Sequence, residues 1–293
     1  MKIGIGLPTW LGNTVTGGEV LDWARRIDDA GFHSLVVHDR PYHDTWDPLA
    51  ALAAVAGVTR HVRLVTGALL LPMRDEALVA KQAAVIDQVS GGRLDLGLAL
   101  GSRPEDFGLY GRTTAGRGRI FEAQLQRLID LWAEAVATRE SGTAAGPAPT
   151  QRPHPPLWIG GYTPAAIDRA VRYGQGYLFG ASGLDMIRER VPLIRDAARS
   201  AGRPDLPIGA LAYVLPATDP AELALGERLL VRYYASLRKP FPEMVHSGPM
   251  EHVAATIASY QDAGLDVLHL NVVSPDPAKI DALASSVLPS YAD

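Results

Sequence analysis

Short runs of apolar and β-branched residues alternate along this chain with longer stretches whose apolar positions recur every three or four residues. The short runs predict strands at 2–7, 34–38, 62–70, 93–100, 156–160, 176–180, 207–214 and 266–273. Several are almost continuously apolar, the pattern of parallel strands buried on both faces. Between them lie helical segments with readable ends. GGEVLDWARRIDDAGF carries Leu21, Ala24 and Ile27 on one face and stops at Gly31. DEALVAKQAAVIDQVSGG opens with Asp75 and Glu76, where the positive helix end favours acids, and stops at Gly91. GRIFEAQLQRLIDLWAEAVA, TPAAIDRAVRYG and GLDMIRERVPLIRDAARSAG continue the series, with two more helices near 219–237 and 249–263.

Strand followed by helix, eight times over, predicts a parallel sheet with crossover helices. Eight strands favour closure into a (β/α)8 barrel, a single α/β domain over residues 1–293. The Gly- and Pro-rich stretch SGTAAGPAPTQRPHPP then reads as a surface loop within 139–156, since too little chain follows for a second core beside the remaining βα units. Further surface loops are expected near 102–118 and 238–250.

Composition narrows the options. The 293 residues are 47% hydrophobic and 20% charged, with a formal net charge of −4, so neither disorder nor nucleic-acid binding is favoured. There is no cysteine, which removes disulfides, thiolate metal sites and a cysteine nucleophile. The longest apolar run, LAALAAVAGV, is too short to span a bilayer, and MKIGIGLP enters a strand pattern at once; the expectation is a cytoplasmic protein with no membrane partner.

A barrel of this kind places its chemistry where strands run out into loops. Those positions hold Pro8-Thr9-Trp10, His38-Asp39-Arg40, Leu71-Pro72-Met73-Arg74, Gly101-Ser102, Gly160-Gly161-Tyr162-Thr163, Gly180-Ala181-Ser182 and Asn271. HDRPYHD is compatible with a metal site, with a polar loop whose groups satisfy one another, or with Asp39 and His38 lining an organic pocket. No HxH or HExxH accompanies it, so no metal is assigned. Thr163 and Pro164 open a helix whose free N–H groups suit an anion, although the same residues also serve as a plain cap. Arg112, Arg117 and Arg119 suit phosphate recognition or a solvated loop. Trp10, Tyr42 and Trp46 could wall a flat ring or simply pack. G-x-G-x-x-G, G-x-x-x-x-G-K-[ST] and G-x-S-x-G are all absent. In VSGGRLDLGLALGSRPEDF, Gly91-Gly92 turns the chain, Gly97 and Ala99 leave interior room, and Gly101 and Asp106 reach the mouth.

KIGIGLP, LDWARRIDDAGFHSLVVHD and DPLAALAAVAGVTRHVRLVTGALLLPMRDEALVAKQAAVIDQVSGGRLDLGLALGS together resemble the bacterial luciferase-like flavin monooxygenases, as do RGRIFEAQLQRLIDLW and PLWIGGYTPAAIDRAVRYGQGY. The resemblance implies a barrel that takes reduced FMN, or the deazaflavin coenzyme F-420, at its C-terminal mouth. It implies a non-prolyl cis peptide near Gly67-Ala68, a catalytic region at Asp39 and His38, and a phosphate turn at Gly161, Tyr162 and Thr163. Trp10, Gly67, Ala68, Gly101, Asp106 and Gly180 would shape the cofactor site, with Tyr42 and Asn271 in the substrate pocket. The implied activity is a reduced-FMN monooxygenase acting on a small organic substrate, supplied by a separate flavin reductase and working as a homodimer. The alternatives are a deazaflavin hydride-transfer enzyme, whose acidic cofactor tail Arg103, Arg112 and Arg117 would meet, and a non-catalytic flavin-binding protein. Two departures stand out: Asp39-Arg40 where the deazaflavin dehydrogenases often have Asp-His, and Ala99 where some luciferases carry a cysteine.

Overall fold

The computed structural model describes residues 1–138, 146–234 and 240–291. Its strands are β1 (Lys2–Gly6), β2 (Ser34–Val37), β3 (Arg63–Thr66), β4 (Leu69–Leu70), β5 (Leu94–Ala99), β6 (Leu157–Gly160), β7 (Gly176–Ala181), β8 (Ile208–Pro216), β9 (Val245–Gly248) and β10 (Val267–Val272). The parallel order is β10-β1-β2-β3-β5-β6-β7-β8, and β8 pairs back onto β10 from Val267↔Gly209 to Val272↔Val214. An eight-stranded barrel is thereby closed. The expected third strand, 62–70, is divided: β3 ends at Thr66, a cis peptide joins Gly67 to Ala68, and β4 resumes the line against β5. β9 was not expected. It pairs with the far end of β8, Tyr213↔Val245 to Pro216↔Gly248, beyond the barrel proper.

The helices are α1 (Gly17–Asp29), α2 (Pro48–Ala56), α3 (Glu76–Val89), α4 (Pro104–Leu109), α5 (Arg117–Ala137), α6 (Pro164–Tyr173), α7 (Leu184–Ser200), α8 (Pro220–Tyr234), α9 (Phe241–Met244), α10 (Met250–Asp262) and α11 (Ala278–Val287). Local chemistry starts them. Thr16 and Glu19 form a reciprocal capping box on α1, while Asp47, Asp75 and Thr163 cap α2, α3 and α6. The 102–118 loop contains α4, and 238–250 contains α9 and β9. Residues 139–145, 235–237 and 238–239 of the expected loops and helix lie outside the described residues. None of the described helices is long and apolar enough to cross a membrane.

At the closed end of the barrel, where the strands begin, buried carboxylates tie loops together. Asp28 accepts the backbone N–H groups of Arg60, His61 and Val62 at 2.6–2.9 Å. Asp87 accepts those of Thr150 and Gln151 and the Gln151 amide. Asp95 is gripped by Arg63 through two 2.6 Å bonds. These anchors correct the expectation that 139–156 is wholly a surface loop: Ala148 and His154 are buried. Gln88 holds the Ala148 carbonyl beside the Asp87 contacts.

Inside the barrel β1 contributes glycine. A Cβ on Gly4 would fall 2.3 Å from Ser34 Oγ and 2.5 Å from the His269 ring, and one on Gly6 would fall 2.1 Å from Asn271 Oδ1. The missing side chains let β2 and β10 meet across β1, with Ser34 3.0 Å from His269 and His38 2.7 Å from Asn271. Gly97 has a related duty. Its Cβ would sit 1.9 Å from the Thr66 carbonyl, so the glycine admits neighbouring backbone rather than leaving open room.

Candidate active site

His38 follows β2 by one residue and is buried at the mouth. Nδ1 lies 2.9 Å from the Gly67 carbonyl and Nε2 lies 2.7 Å from Asn271 Oδ1. Burial drives the ring's pKa down, against the upward pull of these two contacts. A neutral imidazole has one donor and one acceptor. It therefore donates from one nitrogen, to the Gly67 carbonyl or to Asn271 Oδ1, and Asn271 Nδ2 has no hydrogen-bond partner. Both ring nitrogens are engaged, so this histidine is an orienting group.

Asp39 is also buried, and both its oxygens are occupied. Arg74 reaches Oδ1 and Oδ2 at 3.0 Å, and the Leu70 N–H donates to Oδ2 at 2.9 Å. Burial pushes the carboxyl upward, while the Arg74 charge and the Leu70 N–H oppose the rise. Arg74 is held above its ordinary range, with Asp39 and Asp47 outweighing its burial. The pair bolts the end of β2 to the segment that follows Gly67 and Ala68.

Arg40 is 5% exposed. Its Nη1 donates to the Tyr233 carbonyl at 3.1 Å, and its guanidinium lies 5.2 Å from the centre of the Tyr233 ring. Asp106, from α4, faces Arg40 Nε at 3.5 Å and accepts the Tyr42 N–H at 3.1 Å. Tyr233 also packs edge-on against Trp10, which meets Tyr213 in turn, and the Tyr213 and Tyr234 hydroxyls are 2.9 Å apart. Burial raises the pKa of Tyr213, Tyr233 and Tyr234, so all three are neutral phenols. Arg103 caps the Tyr234 ring at 5.2 Å.

On another side of the mouth Thr163 Oγ1 caps α6 through the Ala166 N–H. Gly161 is required there, since a Cβ would meet that of Ala166 at 2.5 Å, and its carbonyl accepts the Tyr177 hydroxyl. Tyr162 is 48% exposed and lies over Gly180, where an added Cβ would touch its hydroxyl at 2.3 Å. Arg190 of α7 binds the Tyr162 carbonyl at 3.2 Å and leaves its Nε without a hydrogen-bond partner.

The expected site residues thus fall into groups. His38, Gly67 and Asn271 are bonded together; Asp39 stands beside them; Trp10 and Asp106 join the Arg40 group; Gly161, Tyr162, Thr163 and Gly180 form the turn after β6. Gly101, with φ +70°, packs on Met73 and Phe107 just past β5. Tyr42 sits on the rim, 60% exposed. Trp46 lies over Gly17 of α1. Arg112 and Arg117 spend hydrogen bonds on the carbonyls of Pro72 and Thr114. Sequence reasoning placed Arg74 at a strand end without giving it a role, and missed Arg190, Tyr213, Tyr233 and Tyr234 as site residues. The doublet Tyr233-Tyr234 at a helix end and the lone Tyr213 in an otherwise apolar strand were the available signals.

Buried side-chain polar atoms without hydrogen-bond partners occur past the strand ends: Thr9 Oγ1, Trp10 Nε1, Arg40 Nε and Nη2, and Ser182 Oγ. Orphaned buried polar groups are costly and uncommon, so each is a group that a polar molecule would complete. Among the described residues no three His, Asp or Glu side chains gather as a metal site.

A sequence profile of the luciferase-like monooxygenases matches residues 1–268. The chain belongs to that family. Membership in the luciferase-like monooxygenases places it among oxidoreductases. It is 26% identical over 166 residues to the oxygenase component of a flavin-dependent trigonelline monooxygenase from Acinetobacter baylyi, a match covering 53% of this chain and 46% of that one. The chain therefore spans less than half the length of that relative. The monooxygenase RslO1 from Streptomyces bottropensis has the same fold over 100% of both chains, with a TM-score of 0.85 and 26% identity. The oxygenating constituent of 3,6-diketocamphane monooxygenase from Pseudomonas putida, solved with FMN, superposes with a TM-score of 0.77 at 19% identity, covering 99% of this chain and 98% of that one; this is a likeness of fold.

Proposed function

We propose that this luciferase-like protein is a reduced-FMN-dependent monooxygenase acting on a small organic substrate, with its reduced flavin delivered by a separate reductase. The observation that carries the reading is the set of unpartnered buried polar atoms past the strand ends, from Thr9, Trp10 and Ser182. A flavin ring presents hydrogen-bonding edges around a flat apolar body, which suits such a surface. The turn of Gly161, Tyr162 and Thr163, with Arg190 beside it, suits the phosphate: a helix start, a close backbone approach and a part-buried guanidinium. Gly67, Ala68, Gly101, Asp106 and Gly180 shape the walls between.

When bound, the reduced flavin supplies the electrons for oxygen activation. The chain's own residues bind, orient and keep the site dry. His38 and Asn271 fix the Gly67 carbonyl, and Asp39 with Arg74 fixes the segment that follows it. The neutral tyrosines and Trp10 exclude water from the mouth. Of the arginines expected to meet a deazaflavin's acidic tail, Arg112 and Arg117 each give one hydrogen bond to a backbone carbonyl, and Arg103 lies against the Tyr234 ring. The same reading makes the protein a cytoplasmic homodimer. The exposed Leu78, Val85 and Val89, on one face of α3, offer the apolar contact for a second copy.

Anaerobic titration with reduced FMN and with reduced coenzyme F-420 tests the proposal. Saturable binding of reduced FMN, followed by oxygen uptake on mixing with air and substrate, is expected. Binding of F-420 alone, with turnover that consumes no oxygen, overturns it.

A further inference from the structure

Two guanidinium groups at the mouth are short of partners. Arg40 is 5% exposed, yet its Nη2 has no hydrogen bond, and its Nε faces Asp106 at 3.5 Å, an ion-pair distance too long for a good one. A buried arginine normally commits its N–H groups, because each one left bare keeps the penalty of desolvation. Arg103 pairs with no acceptor among the described residues and is held only against the Tyr234 ring. Arg40 lies over the neighbouring ring, Tyr233, and the two ring centres are 4.9 Å apart. Asp106 is the one carboxylate within ion-pair range of either arginine among the described residues, so a positive charge is left over.

What surrounds these cations is aromatic. Trp10, Tyr213, Tyr233 and Tyr234 pack edge to face, and the uncharged Tyr213–Tyr234 hydroxyl pair lies among them. An aliphatic neutral molecule would leave Arg40 Nη2 as bare as before. An anionic oxygen would complete it, and a flat ring carrying that oxygen would find ring faces and edges to lie against.

We propose that the mouth takes a ring-bearing organic anion as substrate, its acidic oxygen held by Arg40 and Arg103 and its ring against Tyr234 and Trp10. The proposal rests on the reading of this mouth as the active site, and it adds the substrate class. The flavin phosphate is a competing source of negative charge. It belongs to the turn after β6, however, and β6 is three strands from β2 in the order β2-β3-β5-β6.

The test uses 2-naphthoate and its neutral counterpart 2-naphthamide, titrated anaerobically by calorimetry into the protein with and without saturating reduced FMN. Naphthoate is expected to bind the FMN-loaded protein about tenfold more tightly than the amide. Arg40→Met and Arg103→Met should each erase that preference while leaving amide binding in place. Arg103 is partly exposed, so Arg103→Met carries the test if the Arg40 variant does not fold. Equal binding of acid and amide, binding of neither, or an undiminished preference in Arg103→Met overturns the proposal. If reduced FMN displaces naphthoate, the anion site is the cofactor's; the substrate assignment then falls and the flavin reading stands. If naphthoate binds as expected but reduced FMN does not bind at all, the flavin reading falls and the anion site remains.

Discussion

The two ends of this barrel hold similar buried polar groups and treat them differently. At the closed end Asp28, Asp87 and Asp95 have their oxygens filled by backbone N–H groups, an amide and a guanidinium of the chain itself. At the mouth Thr9, Trp10, Arg40 and Ser182 are as deeply buried but keep atoms unpartnered. Asp39 there is filled as the closed-end acids are. Burial of a polar residue is thus no guide to its job; what counts is whether its hydrogen bonds are already spent. Spent ones hold the fold, and unspent ones wait for a ligand. The closed end has one exception. His269 Nδ1 makes no well-formed hydrogen bond, feels the Ala210 backbone, and borders a cavity of about 10 Å³, room for a single water.

Substitutions at the two ends should separate stability from binding, and the largest effect belongs to the closed end. Asp28→Ala strips the buried Val62 N–H and the part-buried N–H groups of Arg60 and His61 of their acceptor and should cost about 3 kcal/mol in urea unfolding. Burial works upward on Asp28, but its three N–H donors prevail and hold its carboxyl below the ordinary value. Its contribution is accordingly full above the ordinary carboxylate value and fades as pH falls through the lowered one. A loss below about 1 kcal/mol would remove the contrast between the ends.

His269 sharpens the same point through pH. Burial, helped by the nearby His33 and His38, lowers it from 6.5 to about 3. Between those values the unfolded chain holds a proton that the folded one refuses, so stability falls as pH drops through that window. His269→Gln should flatten the slope by about 1.4 kcal/mol per pH unit. Unfolding curves measured from pH 7 down to 4 decide it, and an unaltered slope would show that the ring is protonated in place.

At the mouth the order of effects should invert. Thr163→Ala should cost about 1 kcal/mol through the lost cap and weaken reduced FMN as well; an intact affinity would reduce this turn to capping alone. Ser182→Ala removes an unspent hydroxyl and should leave the melting temperature unmoved, within about 0.5 kcal/mol. It should nonetheless lower affinity for reduced FMN. A destabilised variant with normal flavin binding would mean that Ser182 belongs with the closed-end residues.

Much of the architecture was legible because strand runs and helix caps are local signals. Eight barrel strands, the caps at Asp75 and Thr163, and the break at Gly67-Ala68 all follow from residues near one another in sequence or from the family likeness. β9 escaped because VHSG has no apolar run; its strand geometry comes from the edge of β8. The rule that chemistry sits just past each strand found Trp10, His38, Asp39 and Asn271. It also reached Arg74 without its role, and it could not find Tyr233 or Tyr234, which come from the end of α8. Arg40 was visible as a strand-end position and as a departure from related sequences, but not as a binding group. Its meaning depends on Asp106 and Tyr233, 66 and 193 positions further on, and no spacing rule links them.

The glycines of β1 carry a consequence for how the molecule is made. Gly4 and Gly6 let side chains of β2 bond directly to side chains of β10, Ser34 to His269 and His38 to Asn271. On a ribosome the first partners emerge more than two hundred residues ahead of the second. Until the last strand arrives, a serine and a histidine destined for the barrel's axis must stay hydrated, so the interior cannot dry early. The nascent first half has to wait for the final strand as its keystone.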